Sequence, residues 1–245
     1  MAAPEQKDKP KGIEFYGGYE VYSESGVDLT LLRENLRKSL EERWQDACQG
    51  SIIFEAFRQS ELPYTKRKEG RRMLDAQAIV RRLTEQHVEF VVVGGLAMIA
   101  RGSAYLTKDL DICYKRTPDN LAALVVALAP LHSYLRGAPP GLPFNVDVPT
   151  LQAGLNFTFI TDCGDLYLLG EVSGVGDYAQ VLAQSSEELM FGMKVRVLSL
   201  DGLIAAKKAA GRNKDHGHLL ELLELKKMSE AAKPTENDRG PASPP

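Results

Sequence analysis

Asp109 and Asp111 lie one residue apart in the segment Val91–Tyr114, VVVGGLAMIARGSAYLTKDLDICY. In a β-strand, residues i and i+2 point to the same face, so the two carboxylates would project side by side. Like charges that close repel and are costly to bury. A divalent cation relieves the cost and supplies hard, oxygen-seeking charge suited to a triphosphate. Upstream, Gly94-Gly95 follows the apolar run Val91–Val93 directly. A glycine pair at a strand-to-helix turn lets the backbone approach another group closely, and the start of the helix offers unpaired N–H groups to an anion. Each part alone is common, and an Asp-x-Asp also occurs as a solvated strand edge or turn. The conjunction is far more specific: strand, Gly-Gly, short helix, Arg-Gly-Ser, then Thr107-Lys108-Asp109-Leu110-Asp111 opening a second strand.

A second group of candidates is cationic. Lys207, Lys208, Arg212, Lys214 and Asp215 cluster near the C-terminus. If the helix runs through them, Lys208 and Arg212 stand at i and i+4 and share a face. They could clamp a triphosphate or an acceptor, with lysine as a point charge and arginine as a bidentate fork. They could equally be a solvated helix end whose cations favour the macrodipole. Residues 63–82 carry seven Lys/Arg against two acids, which reads either as a solvated linker and helix face or as a contact to a phosphate backbone. Two histidines, His216 and His218, do not share a helix face, so a zinc site is not expected. No G-x-x-x-x-G-K-[ST] and no G-x-S-x-G is present, which removes P-loop and nucleophile-elbow chemistry.

These residues need a scaffold, and the chain can supply one. It has 245 residues, 44% hydrophobic and 26% charged, with 30 Lys+Arg against 33 Asp+Glu and a net charge of −3. That composition is globular and excludes a collagen-like, coiled-coil or wholly disordered chain. The near-neutral balance argues against a surface devoted wholly to nucleic acid. Cys48, Cys113 and Cys163 show no paired short spacing, so no disulfide framework is expected and a reducing cytoplasm fits best. The polar N-terminus has no secretory signature, and the most apolar run, Leu121–Leu131, is too short for a membrane span.

The organisation reads as five parts: a disordered tail 1–12, a helical N-terminal unit 13–62, a basic linker 63–72, an α/β body 73–228 and a disordered tail 229–245. In the N-terminal unit Asp28 is a candidate N-cap, and Leu29, Leu31, Leu32, Leu36 and Leu40 fall at helical spacing up to about Gln49, followed by a short helix Ile52–Arg58. One apolar stripe cannot make a core, so the unit should dock on the rest of the chain or on a partner. In the body the expected elements are a helix Met73–Gln86, strand Val88–Val93, short helix Leu96–Arg101, strand Asp109–Tyr114, and helix Asp119–His132 behind Pro118. A loop over 133–154 follows, then a hairpin Leu155–Thr161/Asp165–Val172 and a mostly helical stretch Tyr178–Leu189. Strand Met193–Leu198, a helix capped by Ser199 through Ala210, and a last helix from about Asp215 to Met228 complete it.

The segment from Gly94-Gly95 to Asp111 resembles the signature of the nucleotidyltransferase superfamily, a glycine turn followed by a strand carrying two aspartates. LRGAPPGLPFNVD, LNFTFITDCGDLYLLGEVSGVGDY and VLSLDGLIAAKKAAGRNKD are similar to the body of small stand-alone bacterial members, such as those of abortive-infection and toxin–antitoxin systems. The N-terminal YGGYEVYSESGVDLTLLRENL resembles a small helical protein that neighbours such enzymes. The resemblance implies a mixed sheet flanked by helices, an α/β (α+β) fold with a helical N-terminal extension. It implies transfer of a nucleoside monophosphate from a nucleoside triphosphate to a hydroxyl of RNA, protein or a small molecule, in the cytoplasm. It further implies that Asp109 and Asp111 bind Mg²⁺ or Mn²⁺, that Gly94 and Gly95 hold phosphates, and that Thr107 and Lys108 touch phosphate or orient the carboxylates. Lys208 and Arg212 join the nucleotide contacts.

There is one departure. A third acid is expected from a later strand, at the second acidic position of a Gly-Asp-Leu-Asp-Leu-Leu-Gly string. Here Gly164-Asp165-Leu166-Tyr167-Leu168-Leu169-Gly170 places Tyr167 at that position. Asp165, two residues earlier on the same strand face, is the candidate substitute. If it does not serve, the resemblance implies a degenerate binding module or toxin–antitoxin partner. In either case residues 13–62 could restrain the site, meet a partner protein or form a homodimer.

Overall fold

The computed structural model describes residues 20–47, 49–50, 74–139, 144–212 and 215–231. The expected N-terminal tail, the helix at Ile52–Arg58, the basic linker 63–72, Lys214 and the chain beyond Ala231 lie outside them.

The N-terminal unit begins with α1 (Leu29–Arg37), capped as expected by Asp28, whose carboxylate accepts from the Thr30 and Leu31 amides. The expected single helix does not continue. The chain breaks at Lys38–Ser39 and restarts as α2 (40–47). The break has a local cause: the Ser39 amide donates to Glu42 Oε2 at 2.7 Å and the Glu42 amide to Ser39 Oγ at 3.2 Å, the reciprocal bonds of a capping box. The new axis brings Trp44 to full burial beside Leu29 and Leu32, whereas Leu31 and Leu36 stay exposed.

The body alternates helices and strands: α3 (Ala76–Glu85), β1 (Phe90–Val93), α4 (Gly94–Ala100), β2 (Asp109–Tyr114), α5 (Pro118–Leu128), β3 (Tyr134–Leu135), α6 (Val148–Ala153), β4 (Asn156–Thr161), β5 (Gly164–Leu169), β6 (Glu171–Val172), β7 (Gly176–Asp177), α7 (Tyr178–Ala183), β8 (Ser185–Met190), β9 (Met193–Leu198), α8 (Leu200–Ala210) and α9 (Asp215–Ala231). One seven-stranded mixed sheet runs β3-β4-β5-β2-β1-β9-β8, with β6 and β7 as a separate ribbon. β2 lies antiparallel to β1 and parallel to β5; β1 is parallel to β9. This is the mixed sheet flanked by helices that the sequence leads one to expect. Along β2, Leu110 and Ile112 are fully buried on one face, as are Leu166 and Leu168 on β5. The alternate residues of both strands therefore share the other face.

Two expectations fail. The stretch 133–154 is not all loop: it holds β3 and α6, the latter capped by Asp147 with Pro149 in its first turn. The helix expected over Tyr178–Leu189 stops at Ala183, and Ser185–Met190 is instead the edge strand β8, hairpinned to β9 through Phe191 and Gly192. Both turn residues have positive φ, 51° and 76°, as a two-residue hairpin turn requires. Phenylalanine rarely takes that conformation, so the turn leaves no ordinary signature in the sequence. α9 also continues to Ala231, past the boundary drawn at 228.

Candidate functional site

The turn from β1 into α4 and the start of β2 are packed so closely that only glycine fits. At Gly94, with φ +62°, a Cβ would stand 2.0 Å from Asp111 Oδ2; at Gly95 it would stand 2.5 Å from Thr107 Oγ1. The two glycines are needed because the Asp111 carboxylate and the Thr107 side chain lie directly on the turn. The Gly95 amide donates to Asp111. Thr107, itself buried, donates its hydroxyl to Asp109 Oδ1 at 2.8 Å. The strand register sets the Asp109 and Asp111 side chains on one face, as the spacing demanded.

The result is an electrostatically expensive arrangement. Burial first, and then repulsion from Asp109, push the Asp111 carboxyl up to about 7, against the opposing pull of the Gly95 amide, Lys207 and Arg212. Two adjacent carboxylates, one driven towards neutrality first by burial and then by its neighbour, are a donor set that fits a hard divalent cation. Among the described residues no group of three His, Cys, Asp or Glu side chains is gathered to hold a metal.

Asp109, Asp111 and both glycines line a cavity of about 340 Å³. Its opposite wall comes from α8, α9 and the segment between them, with Lys207, Arg212, Asp215 and His218. The expected helical pairing of Lys208 with Arg212 does not form. Gly211 caps α8 in the left-handed conformation, so Arg212 lies beyond the helix. Lys208 faces a neighbouring depression with Gly211, His216 and Leu219. Lys207 takes the cavity side instead. Its ammonium donates to Asp215 Oδ1 at 2.8 Å, while Arg212 Nε donates to Asp215 Oδ2 at 2.9 Å. Asp215 is almost wholly buried, and although burial alone would raise it, the two cations hold its carboxyl below the usual range. Lys207 and Asp215 were legible as a cluster, and the glycine stop was the signal that separates Arg212 from the helix that carries Lys208. Tyr105, edge-on to His218 at 4.2 Å, reaches the cavity without any sequence signal. Lys108 is exposed and does not line the cavity.

β5 completes the face differently. The parallel register sets Asp165 beside Asp109 and Tyr167 beside Asp111. Tyr167 lines the cavity and Asp165 does not. The Asp165 carboxylate accepts from Arg136 Nη2 at 2.6 Å, and Arg136 Nη1 donates to the Tyr167 hydroxyl, its guanidinium lying 5.7 Å from the ring centre. Arg136 follows β3 inside the quoted string LRGAPPGLPFNVD, but nothing local in that string ties it to Asp165 or Tyr167.

Among the described residues no helix is long and apolar enough to cross a membrane. No protein-family model and no curated protein matches the chain. Solved structures similar to it include the following three. One is the lincosamide antibiotic adenylyltransferase LnuA with lincomycin bound, at 11% identity and a TM-score of 0.43, covering 63% of this chain and 99% of that one. A candidate nucleotidyltransferase from Thermotoga maritima is 16% identical with a TM-score of 0.38, covering 67% and 99%. The antibiotic-resistance factor ANT(2″)-Ia, in solution, is 14% identical with a TM-score of 0.39, covering 64% and 83%.

Proposed function

We propose that this chain is a metal-dependent nucleotidyltransferase, moving a nucleoside monophosphate from a nucleoside triphosphate to an acceptor hydroxyl. The observation that carries the reading is the Asp109–Asp111 pair seated on the Gly94-Gly95 turn, facing Lys207 and Arg212 across the same cavity. Asp109 and Asp111 would hold Mg²⁺ or Mn²⁺. When bound, the ion neutralises triphosphate charge and polarises the α-phosphoryl group. Lys207 and Arg212, oriented by Asp215, would take the outer phosphates, with Arg212 suited to bidentate contact. Thr107 orients Asp109. The acceptor oxygen attacks the α-phosphorus in line, the bond to the bridging oxygen breaks, pyrophosphate leaves, and the acceptor proton passes to solvent. Positioning and electrostatics supply the catalysis, as in other phosphoryl transfers. RNA ends, proteins and small molecules all offer the required hydroxyl.

A specific observation favours a second reading. Asp165 is occupied by Arg136, and Tyr167 stands where the resemblance calls for a third acid. A neutral phenol, with an ordinary pKa of about 10, is a poor general base near neutrality. The chain would then bind nucleotide without transferring it, alone or as one partner of a two-component system. Incubation with each α-labelled ribonucleoside triphosphate, Mg²⁺ or Mn²⁺, and total cellular RNA and protein separates the two. Label moving to a macromolecule with the native chain but not with Asp109→Asn/Asp111→Asn supports transfer. Triphosphate binding that the double variant loses, with no label moved, supports the binding module.

A further inference from the structure

We infer that α1 and α2 are a positioning element of the Asp109–Asp111 site, acting through the hydrogen bonds that Asn35, Arg43 and Trp44 make to the backbone between the glycine turn and the aspartates. α4, which starts at Gly94, has only seven residues and no side-chain cap at its N-terminus. A helix that short does not stand alone. Its Ala97, Met98 and Ile99 carbonyls accept from the Arg101, Gly102 and Ser103 amides that follow, and the N-terminal unit adds bonds to Ala100 at its end, to Leu96 within it and to Ser103 just beyond it. Arg43 Nη1 donates to Ala100 O at 2.6 Å, the fully buried Trp44 donates its indole N–H to Leu96 O at 3.2 Å, and Asn35 Nδ2 donates to Ser103 O at 3.1 Å. Packing accompanies the bonds. Leu36 lies against Gly102, where φ is +103° and a Cβ would stand 2.6 Å from it, and Leu106 lies against Gly50.

The far side of the same loop is pinned independently. Glu221 of α9 accepts from the Ala104 amide at 2.7 Å, and Arg101 reaches the carbonyls of Val197 and Leu198 on β9. What the loop delivers is Thr107, wedged on Gly95 and bonded to Asp109. A shift of the loop therefore moves the hydroxyl that orients one carboxylate and the turn that donates to the other. Removing a group bonded directly to a metal ligand typically alters metal affinity about 10–100-fold, and groups that act through the backbone one step further out belong at the lower end of that range.

The test uses the full chain. The variant Asn35→Ala/Arg43→Met/Trp44→Phe removes the three donors and keeps most of the apolar bulk, and Trp44→Phe alone is the milder companion should the triple variant fail to fold. Arg43→Lys, which keeps a charged donor, is the rescue. Three quantities are measured: the Mn²⁺ dissociation constant, amide hydrogen exchange by segment, and the thermal midpoint. Mn²⁺ affinity is expected to fall about tenfold in the triple variant and less in Trp44→Phe. Exchange is expected to rise over residues 94–111 while β5 and β9 keep their protection, with Arg43→Lys close to the native chain. A folded variant whose midpoint drops, whose Mn²⁺ affinity stays within about twofold of the native value, and whose faster exchange is confined to 29–50 overturns the inference. The cation readout rests on the proposed site; the exchange readout does not. A native chain that binds no Mn²⁺ would sink the proposed function and leave exchange over 94–111 to decide this inference.

Discussion

β2 and β5 lie side by side, in register, and present acidic residues to the same face, yet they are built on opposite terms. The β2 half is over-determined. Gly94 and Gly95 tolerate no added atom, Thr107 is buried against them, and both carboxylates have fixed partners. The β5 half is negotiable: Asp165 is held by a half-exposed arginine from another strand's end, and Tyr167 replaces the expected acid. The β2 half holds two carboxylates together, and the Gly95 amide, Lys207 and Arg212 offset their burial and repulsion only in part, so that Asp111 stays well above the ordinary carboxylate range. The β5 half has neutralised itself with Arg136. The chemistry proposed here therefore belongs to β2, and β5 sets what accompanies it.

The sharpest way to break this contrast is Gly94→Ala. The new methyl meets Asp111 at a backbone angle that L-residues rarely adopt, and misplacement of that order costs roughly a hundredfold in function. Mn²⁺ and triphosphate binding are expected to be lost at a temperature where circular dichroism shows the chain folded. Binding that survives would mean that the turn has slack and the β2 half is not over-determined.

A pH series gives the next largest effect. The Asp111 carboxyl lies at about 7 in the fold against 3.8 ordinarily. A carboxyl raised on folding is more protonated in the folded state, so the metal-free protein loses stability as pH rises from about 4 to about 7, then levels off. A cation needs the ionised form, so Mn²⁺ affinity is expected to climb through the upper end of the same window. Asp111→Asn should flatten the stability profile in urea titrations. A native profile already flat between pH 4 and 7 would show that the repulsion is absent.

The smallest effect is expected on β5. Arg136→Ala removes a partly exposed ion pair, which is worth under about 1 kcal/mol to stability. With its positive charge gone the face becomes more acidic, so Mn²⁺ affinity should rise severalfold. An unchanged affinity would show that the two halves are electrostatically separate.

Legibility divided along physical lines. Strands Asp109–Tyr114 and Met193–Leu198 and the Ser199-capped helix through Ala210 were read at their observed boundaries, because polar-apolar alternation and a serine cap carry the information locally. The Gly94-Gly95 turn and the same-face aspartates were readable for the same reason: period-two geometry belongs to the strand itself. β8 was read as helix because Ser185–Met190 has no strand propensity of its own; it becomes a strand only by pairing with β9. The break between α1 and α2 was written in Ser39 and Glu42 and was missed beneath the leucine spacing that ran through it.

The residues alone determined which carboxylates stand together, because positions two apart on one strand are related by covalent geometry, whereas the need for Gly94 and Gly95 comes from β2 packing onto the turn. Tertiary structure decided which cations face the carboxylates, since the packing of α8 turns Lys207 rather than Lys208 to the cavity and the left-handed stop at Gly211 frees Arg212 from the helix. It decided that Arg136 engages Asp165, and that Trp44 reaches Leu96 across the chain. Those contacts join segments distant in sequence, and only the packing of the whole sheet brings them within reach.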